Sequence, residues 1–140
     1  IKTMPVVGAM MHKMMCQFIN RENDREALKT ILRCIQIIKD DQASIVVFPE
    51  GYVSMDGRLR HFRSGALKIA QKPGVPIVVC ALYDTKVLSK RAFRRPSRVE
   101  IRLLDIIYPE QYEGMNTVEL GAMLYEKMEK AYNEIRKPQD

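Results

Sequence analysis

A carboxylate directly follows a short apolar run in the middle of the sequence. Residues 44–48 read Ser-Ile-Val-Val-Phe, a pattern typical of a strand buried on both faces, and Pro49-Glu50-Gly51 comes next. Proline fixes the backbone at this point, and glycine permits a tight bend and the close approach of a ligand to the main chain. Glu50 would then face a ligand at the end of the strand, or it would be solvated in an ordinary strand-to-loop turn. The residue pattern alone leaves both interpretations open.

A guanidinium ends the preceding predicted strand, in the run Phe18-Ile19-Asn20-Arg21. The planar fork of arginine can bind two phosphate oxygens at once, so Arg21 is a candidate phosphate ligand. The alternative is an ion pair between Arg21 and a nearby acid such as Glu22 or Glu26, and this run taken alone favours that pairing.

Helical patterns alternate with short apolar runs along the chain. Helices are predicted for residues 5–15, 24–39, 62–72 and 117–135, and Asn23 and Glu26 are placed to form a capping box at the start of the second. Pro73-Gly74 should end the third, and the last carries an apolar face of Leu120, Leu124, Met128, Ala131 and Ile135. Strands are predicted for residues 16–20, 44–48, 75–82 and 98–104.

Two of these strands carry an expected pattern of burial. Residues 75–82, like residues 44–48, are predicted to form a strand buried on both faces. Residues 98–104 instead alternate charged and apolar side chains. The latter therefore predicts a half-exposed or edge strand with Val99, Ile101 and Leu103 pointing inward.

The alternation of elements predicts an α/β fold, with a largely parallel sheet flanked by helices, in one domain over residues 1–140. In open sheets of this kind, ligands bind beyond the carboxyl ends of the strands. The loops at Asn20-Arg21 and at Pro49-Glu50-Gly51 leave such ends, so we expect them to form one ligand site.

The two loops also resemble ordered sequence blocks of the lysophospholipid and glycerol-phosphate acyltransferase family. That family carries four blocks, and residues 4–82 match three of them with the connecting pieces between. The second block, usually Gly-x-x-Phe-Ile-Asp-Arg, is present as Met15-Cys16-Gln17-Phe18-Ile19-Asn20-Arg21. The third, usually Phe-Pro-Glu-Gly-Thr-Arg-Ser, is present as Phe48-Pro49-Glu50-Gly51-Tyr52-Val53-Ser54. The fourth, usually Val-Pro-Ile-Val-Pro-Val, is present as Val75-Pro76-Ile77-Val78-Val79-Cys80.

The sequence departs from these blocks at several positions. Met15 replaces the usual Gly, Asn20 the usual Asp and Val79 the second Pro. Tyr52-Val53 replaces Thr-Arg, which removes a cation that the family is thought to use on the substrate phosphate. Either Arg21 and the basic residues after Leu82 supply the missing charge, or the acceptor is not the usual lysophosphatidate.

The first block of the family, His-x-x-x-x-Asp, supplies the catalytic base and is missing from these residues. The fifth position after His12 is Gln17, and the fifth after His61 is Ala66. In the family this block lies upstream of the second, so we expect it before Ile1 and expect this chain to be an inactive C-terminal fragment. The resemblance thus assigns no catalytic residue to this sequence.

The resemblance implies transfer of a fatty acyl group from acyl-CoA or acyl-carrier protein to a lysophospholipid, with 1-acylglycerol-3-phosphate as the expected acceptor in phospholipid biosynthesis. Arg21 would hold the acceptor phosphate, and Glu50 and the Gly51 backbone would shape the acceptor pocket. The implied substrate-binding set is Phe18, Asn20, Arg21, Pro49, Glu50, Gly51 and Ser54. Neither a metal nor a cofactor is expected, because a thioester is already activated.

Basic residues are concentrated in two parts of the sequence, whose net charge is +6. Residues 86–102 hold seven basic side chains against one acid, and a second group is Arg58, Arg60, Arg63 and Lys68. Such fields attract anions, so we expect an anionic membrane surface as a partner and a cytoplasmic, membrane-peripheral location. A solvated face and a non-catalytic anionic-lipid-binding domain are the alternatives. Nucleic acid is not an expected partner, since Phe93 is the only aromatic residue in 86–102.

The positions of the cysteines and of the Phe-Pro-Glu run can be compared with those expected in another enzyme class. Nitrilase-like hydrolases also end a buried strand in Phe-Pro-Glu, but their cysteine nucleophile lies much further along, and the only cysteine after Glu50 is Cys80. This class is therefore rejected.

Cys16, Cys34 and Cys80 lack metal-site spacing and are expected to be buried thiols in a reducing compartment. No apolar run approaches the ~18–20 residues that a membrane span requires.

Overall fold

The computed structural model describes residues 5–19, 23–51, 58–83 and 99–136. Its contacts divide the chain into two units, Ile1–Ile45 and Val46–Asp140. In the part of the chain that the structure describes, the first unit holds two helices, and the second holds a sheet with further helices. The prediction of one domain over residues 1–140 stays a prediction.

The first unit begins with α1 (Pro5–Lys13). The strand predicted for residues 16–20 is wrong for residues 16–19, which have no regular structure, and Asn20 lies outside the described residues. Met15 takes a positive φ of 56°, and the Cys16 N–H donates back to the Met11 carbonyl at 2.9 Å. The backbone at the start of the expected strand is therefore committed to the end of the helix and not to a strand ladder.

Helix α2 (Asp24–Lys39) confirms the predicted helix and, of its predicted capping box, the part that Asn23 supplies. Asn23 is extended, and its side-chain oxygen accepts hydrogen bonds from the Arg25 N–H at 3.1 Å and the Glu26 N–H at 3.2 Å. These bonds satisfy two donors that have no partner within the helix. The helix buries Cys34, Ile35 and Ile37.

We expect Asn23→Ala to lower the free energy of unfolding by about 1 kcal/mol, because alanine cannot accept the two N–H bonds at the start of α2. Urea unfolding followed by circular dichroism measures the change. Asn23→Asp is the matched control and should stay close to the native value, since its carboxylate accepts the same bonds. An equal loss in both variants would show that the cap is not what stabilises the helix.

In the second unit, residues 46–48 are exposed and irregular. The predicted buried strand at residues 44–48 is therefore wrong: Val46 is 82% exposed and Phe48 is 73% exposed. A strand forms only where a neighbouring strand pairs with it, and in the described residues the sheet contains only the two strands at residues 77–83 and 100–107. The Phe48 carbonyl instead accepts the Gly51 N–H at 3.1 Å and closes a turn.

The sheet consists of β1 (Ile77–Tyr83) paired antiparallel with β2 (Glu100–Ile107). The register runs from Ile77 opposite Ile107 to Tyr83 opposite Glu100. The prediction of a largely parallel sheet is thus not confirmed in the described residues, because the runs expected to supply parallel neighbours, at 16–19 and 44–48, are not strands there.

One face of this sheet packs on the core and the other is open. Val79 and Ala81 are buried, but Val78 is 59% exposed, so β1 is not buried on both faces as predicted. The inward orientation predicted for Ile101 and Leu103 is also wrong, since they are 68% and 61% exposed. An irregularity between Val79 and Cys80 shifts the pairing, and a shift of one residue exchanges the two faces of a strand.

The cysteine prediction holds for one residue and fails for another. Cys34 is buried, and burial raises the pKa of its thiol. Cys80 is exposed because it lies on the open face of β1, whereas Cys16 is half-buried. All three are free thiols.

The core of the second unit lies between the sheet and α5 (Thr117–Arg136). Its buried members are Leu67, Val79, Ile107, Tyr112, Leu120 and Leu124, with Met128 packed at the edge. The predicted apolar face of the last helix is confirmed at Leu120, Leu124 and Met128. The Lys127 Nζ also donates to Asp105 Oδ2 of β2 at 2.6 Å, and this bond lowers the pKa of Asp105.

Shorter helices complete the second unit. The helix predicted for residues 62–72 is a 3₁₀ turn, Ser64–Leu67, that continues into α3 (Lys68–Gln71). It ends just before Pro73-Gly74, as predicted, and Gly74 has a positive φ. The sequence patterns did not predict α4 (Pro109–Tyr112). The Tyr112 hydroxyl donates to the Val75 carbonyl at 2.8 Å, and the Tyr132 hydroxyl donates to the Leu82 carbonyl at 2.9 Å. Two tyrosines therefore bind the chain just before β1 and near the end of β1.

Among the described residues, the helices lack the combination of length and apolar character needed to cross a bilayer.

Candidate substrate-binding site

The Pro49-Glu50-Gly51 run forms a tight turn at the start of the second unit. The Gly51 N–H closes the turn on the Phe48 carbonyl, and Gly51 has a φ of +68°. Side chains with a Cβ adopt this backbone conformation only at a cost, so glycine suits the position. The expected bend after Phe48 is present, although no strand precedes it.

This turn is joined to a second segment of chain by two hydrogen bonds. The Arg63 N–H donates to the Pro49 carbonyl at 2.9 Å, and the Arg60 N–H donates to Glu50 Oε2, also at 2.9 Å. Glu50 is half-buried, so its carboxylate is not simply solvated in a plain turn. It fixes the backbone of the segment that contains Arg60 and Arg63.

The Arg63 side chain lies directly against Gly51. A Cβ placed on Gly51 would be 3.2 Å from both the Cδ and the Nε of Arg63. Such a distance is shorter than most Cβ contacts, so a larger residue at position 51 would displace the arginine. The absence of a side chain at Gly51 thus makes room for the Arg63 stem.

Aromatic contacts connect the same segment to α5. The His61 ring stacks on the Tyr125 ring with centroids 5.2 Å apart, and Phe62 meets Tyr125 edge-on at 5.7 Å. The Tyr125 hydroxyl donates to Glu129 Oε1 at 3.1 Å. The segment is therefore held by the turn on one side and by the last helix on the other.

Burial and the charge of Glu50 both raise the pKa of two tyrosines. Desolvation raises the pKa of Tyr125, with further increases from the Glu129 hydrogen bond and charge and from the charge of Glu50. Burial raises the pKa of Tyr132, and the charge of Glu50 adds to the increase. Desolvation is the larger cause for both tyrosines, and the contribution of Glu50 follows from the cost of creating a second negative charge near an existing one.

The predicted site residues divide between the two units. Pro49, Glu50 and Gly51 are brought together in the turn of the second unit. Phe18 belongs to the first unit, where it is half-buried and its carbonyl accepts the Thr30 hydroxyl at 3.2 Å. Asn20, Arg21 and Ser54 lie outside the described residues.

Sequence reasoning did not assign Arg60, His61, Arg63 or Tyr125 to the site. The basic character of Arg60, His61 and Arg63 was visible in the sequence, but their contacts with the turn and with Tyr125 connect residues that are not adjacent in the chain. The described residues contain no cluster of three His, Cys, Asp or Glu side chains that could hold a metal ion.

Comparison with known proteins identifies the family. The sequence profile of the family described as Acyltransferase matches residues 1–83. The chain belongs to the Acyltransferase family. The resemblance inferred from the three blocks is thereby confirmed, and the protein is a member of an acyltransferase enzyme family.

Curated members of the Acyltransferase family extend the comparison. The chain is 40% identical over 85 residues to the chloroplastic 1-acyl-sn-glycerol-3-phosphate acyltransferase BAT2 of Brassica napus, a match that covers 61% of this chain and 24% of that protein. It is 32% identical over 120 residues to the 1-acyl-sn-glycerol-3-phosphate acyltransferase of Haemophilus influenzae, covering 84% of this chain and 49% of that protein. The chain therefore spans from a quarter to a half of the length of these Acyltransferase relatives.

The fold is shared with a crystal structure of the family. The 1-acyl-sn-glycerophosphate (LPA) acyltransferase PlsC of Thermotoga maritima superimposes with a TM-score of 0.77 at 22% identity, covering 99% of this chain and 55% of that chain. The helices and the small antiparallel sheet of this Acyltransferase chain thus belong to the PlsC fold.

Proposed function

We propose that the protein transfers a fatty acyl group from acyl-CoA or acyl-carrier protein to the free hydroxyl of 1-acylglycerol-3-phosphate, in phospholipid biosynthesis. The observation that carries this proposal is the Pro49–Gly51 turn of the third block, which is hydrogen-bonded to the segment of Arg60 and Arg63. A turn with the Arg63 side chain against its glycine is suited to an anionic acceptor, and the named relatives act on such an acceptor.

The chemistry of the proposed reaction is a simple acyl transfer. A base removes the proton of the acceptor hydroxyl, the oxygen attacks the thioester carbonyl, and the carbon–sulfur bond breaks as the carbon–oxygen bond forms. The thiolate of the donor leaves and takes up a proton. Neither histidine of these 140 residues begins a His-x-x-x-x-Asp block, so the proposal assigns the base to a part of the protein outside this sequence.

The residues of this chain have the role of holding the acceptor. Arg21 would bind the phosphate, with Asn20 and Phe18 beside it, and this fixes the distance between hydroxyl and base. Orientation of this kind contributes several kcal/mol, up to ~7–11 at the extreme. Pro49, Glu50 and Gly51 would shape the acceptor pocket, with Ser54 as a further contact.

We also propose that the basic residues of 86–102 bring the protein to an anionic membrane surface on its cytoplasmic side. Lysophospholipid acceptors reside in membranes, and each basic residue near an anionic surface contributes about 1 kcal/mol of attraction. Binding to vesicles of phosphatidylglycerol and phosphatidylcholine should fall steeply as salt is added. Salt-independent binding would mean that apolar insertion and not charge holds the protein.

The decisive experiment measures acyl transfer by a protein extended upstream of Ile1 along its coding sequence, beside the 140-residue chain. With lysophosphatidate and acyl-CoA or acyl-carrier protein, the extended protein should form phosphatidate and the 140-residue chain should not. Arg21→Ala in the extended protein should raise the KM for the acceptor and leave the KM for the donor unchanged. An extended protein that binds anionic vesicles but acylates none of the glycerolipid acceptors would support the non-catalytic lipid-binding alternative.

A further inference from the structure

The segment beside the turn concentrates positive charge on exposed side chains. Arg58, Arg60 and Arg63 lie within six residues and are all exposed, and the Arg60 N–H donates to Glu50 Oε2. Clustered cations attract anions from solution. The three arginines therefore make this segment a basic part of the described surface.

Arg63 is fixed in place more firmly than an ordinary surface arginine. Its backbone N–H is bonded to the Pro49 carbonyl, and its Cδ and Nε lie against Gly51. A side chain whose stem is already packed loses less conformational freedom when its end group binds a ligand. The guanidinium is thereby preorganised at the edge of the turn.

The chemistry of the guanidinium selects the class of ligand. It carries five N–H donors in a planar fork, so it can serve a ligand in addition to a protein partner. Two of these donors match two oxygens of a phosphate, an arrangement that a lysine ammonium does not reproduce. One oxygen of Glu50, Oε2, accepts the Arg60 N–H, so the main chain of the segment engages that oxygen.

We propose that Arg63 is a positioning residue that binds the phosphate monoester of the acceptor at the Pro49–Gly51 turn. The inference rests on the proposed acyl transfer for the identity of the acceptor, but the phosphate contact itself does not depend on transfer. Arg63 binds the headgroup through two guanidinium N–H groups, and Gly51 leaves the space in which the arginine stem lies.

Nuclear magnetic resonance of the arginine Nε–H groups in the 140-residue chain tests this contact. The probes are sn-glycerol 3-phosphate, inorganic phosphate and glycerol, followed by lysophosphatidate and monoacylglycerol in neutral detergent micelles. We expect the Arg63 Nε–H signal to shift with the phosphate monoesters and not with glycerol or monoacylglycerol. Arg63→Ala should weaken the binding of lysophosphatidate by about tenfold or more, since hydrogen bonds to charged groups are among the strongest.

Two further variants make the test specific. Lys72→Ala removes the same charge from an exposed position outside this segment and should change the affinity by less than about twofold, as expected for one distant, screened charge. Arg63→Lys keeps the charge without the fork and should recover only part of the affinity. Circular dichroism of each variant confirms that it is folded.

Several outcomes would overturn the proposal. These are an Arg63 signal that does not respond, equal weakening in Arg63→Ala and Lys72→Ala, and binding of inorganic phosphate without binding of lysophosphatidate.

Phosphate binding through Arg63 in a protein whose upstream-extended form transfers no acyl group would preserve the site and reject the proposed function. Active transfer with an unchanged acceptor KM in Arg63→Ala would preserve the function and reject the site.

Discussion

Leu120→Ala should lower the free energy of unfolding by about 3 kcal/mol, within the 2–5 kcal/mol typical of leucine deletions in a core. Leu120 has no exposed surface and packs with Val79, Ile107 and Leu124 between the sheet and α5. Its truncation removes apolar contacts and leaves a cavity that the surrounding strands and helix fill only in part. Guanidinium unfolding followed by circular dichroism measures the difference.

Val118 of the same helix provides the control for this result. Val118 is 68% exposed, so Val118→Ala should change the free energy of unfolding by no more than about 0.5 kcal/mol. A loss below about 1 kcal/mol in Leu120→Ala would contradict the packing of α5 on the sheet, because a buried leucine costs more than that to truncate.

Gly51→Ala is expected to affect both stability and ligand binding. An alanine at a φ of +68° costs about 1–2 kcal/mol in backbone strain. Its Cβ would also lie 3.2 Å from the Cδ and Nε of Arg63 and would shift the arginine stem by a few tenths of an ångström. We therefore expect a loss of 1–2 kcal/mol in unfolding free energy, in line with that strain, together with weaker binding of lysophosphatidate.

Gly74 separates these two effects. It has a φ of +66°, close to that of Gly51, but a Cβ on it would meet no atom within 4 Å. Gly74→Ala should therefore lose a similar amount of stability and keep its affinity for lysophosphatidate. Equal affinities in the two variants would show that the contact between Gly51 and Arg63 has no part in binding.

The elements that the sequence predicted correctly are those whose signals are local. Helix α2 carries its apolar spacing and its Asn23 cap within one short segment, and α5 carries its buried face in the same way. The strand at 44–48 failed because an apolar run becomes a strand only beside a partner, which its own residues do not specify. The inward face of β2 failed because the irregularity at Val79 and Cys80 decides the register.

In the candidate site, too, the part that could be predicted is the part whose signal is local. Pro49, Glu50 and Gly51 are adjacent in sequence, so their turn could be expected from residue types alone. The contacts of Arg60 and Arg63 with that turn, and of His61 with Tyr125, join segments that only the folded chain brings together. No spacing rule links a glycine to an arginine that packs on it from a later segment.

The tyrosine bonds just before β1 and near its end can form only late in the synthesis of the chain. Val75 and Leu82 receive hydrogen bonds from residues 37 and 50 positions later, Tyr112 and Tyr132 respectively. A ribosome that has released residues up to Ile107 has therefore made both strands before either hydroxyl is available. The second unit can acquire its full set of contacts only after α5, the last helix described, has left the exit tunnel.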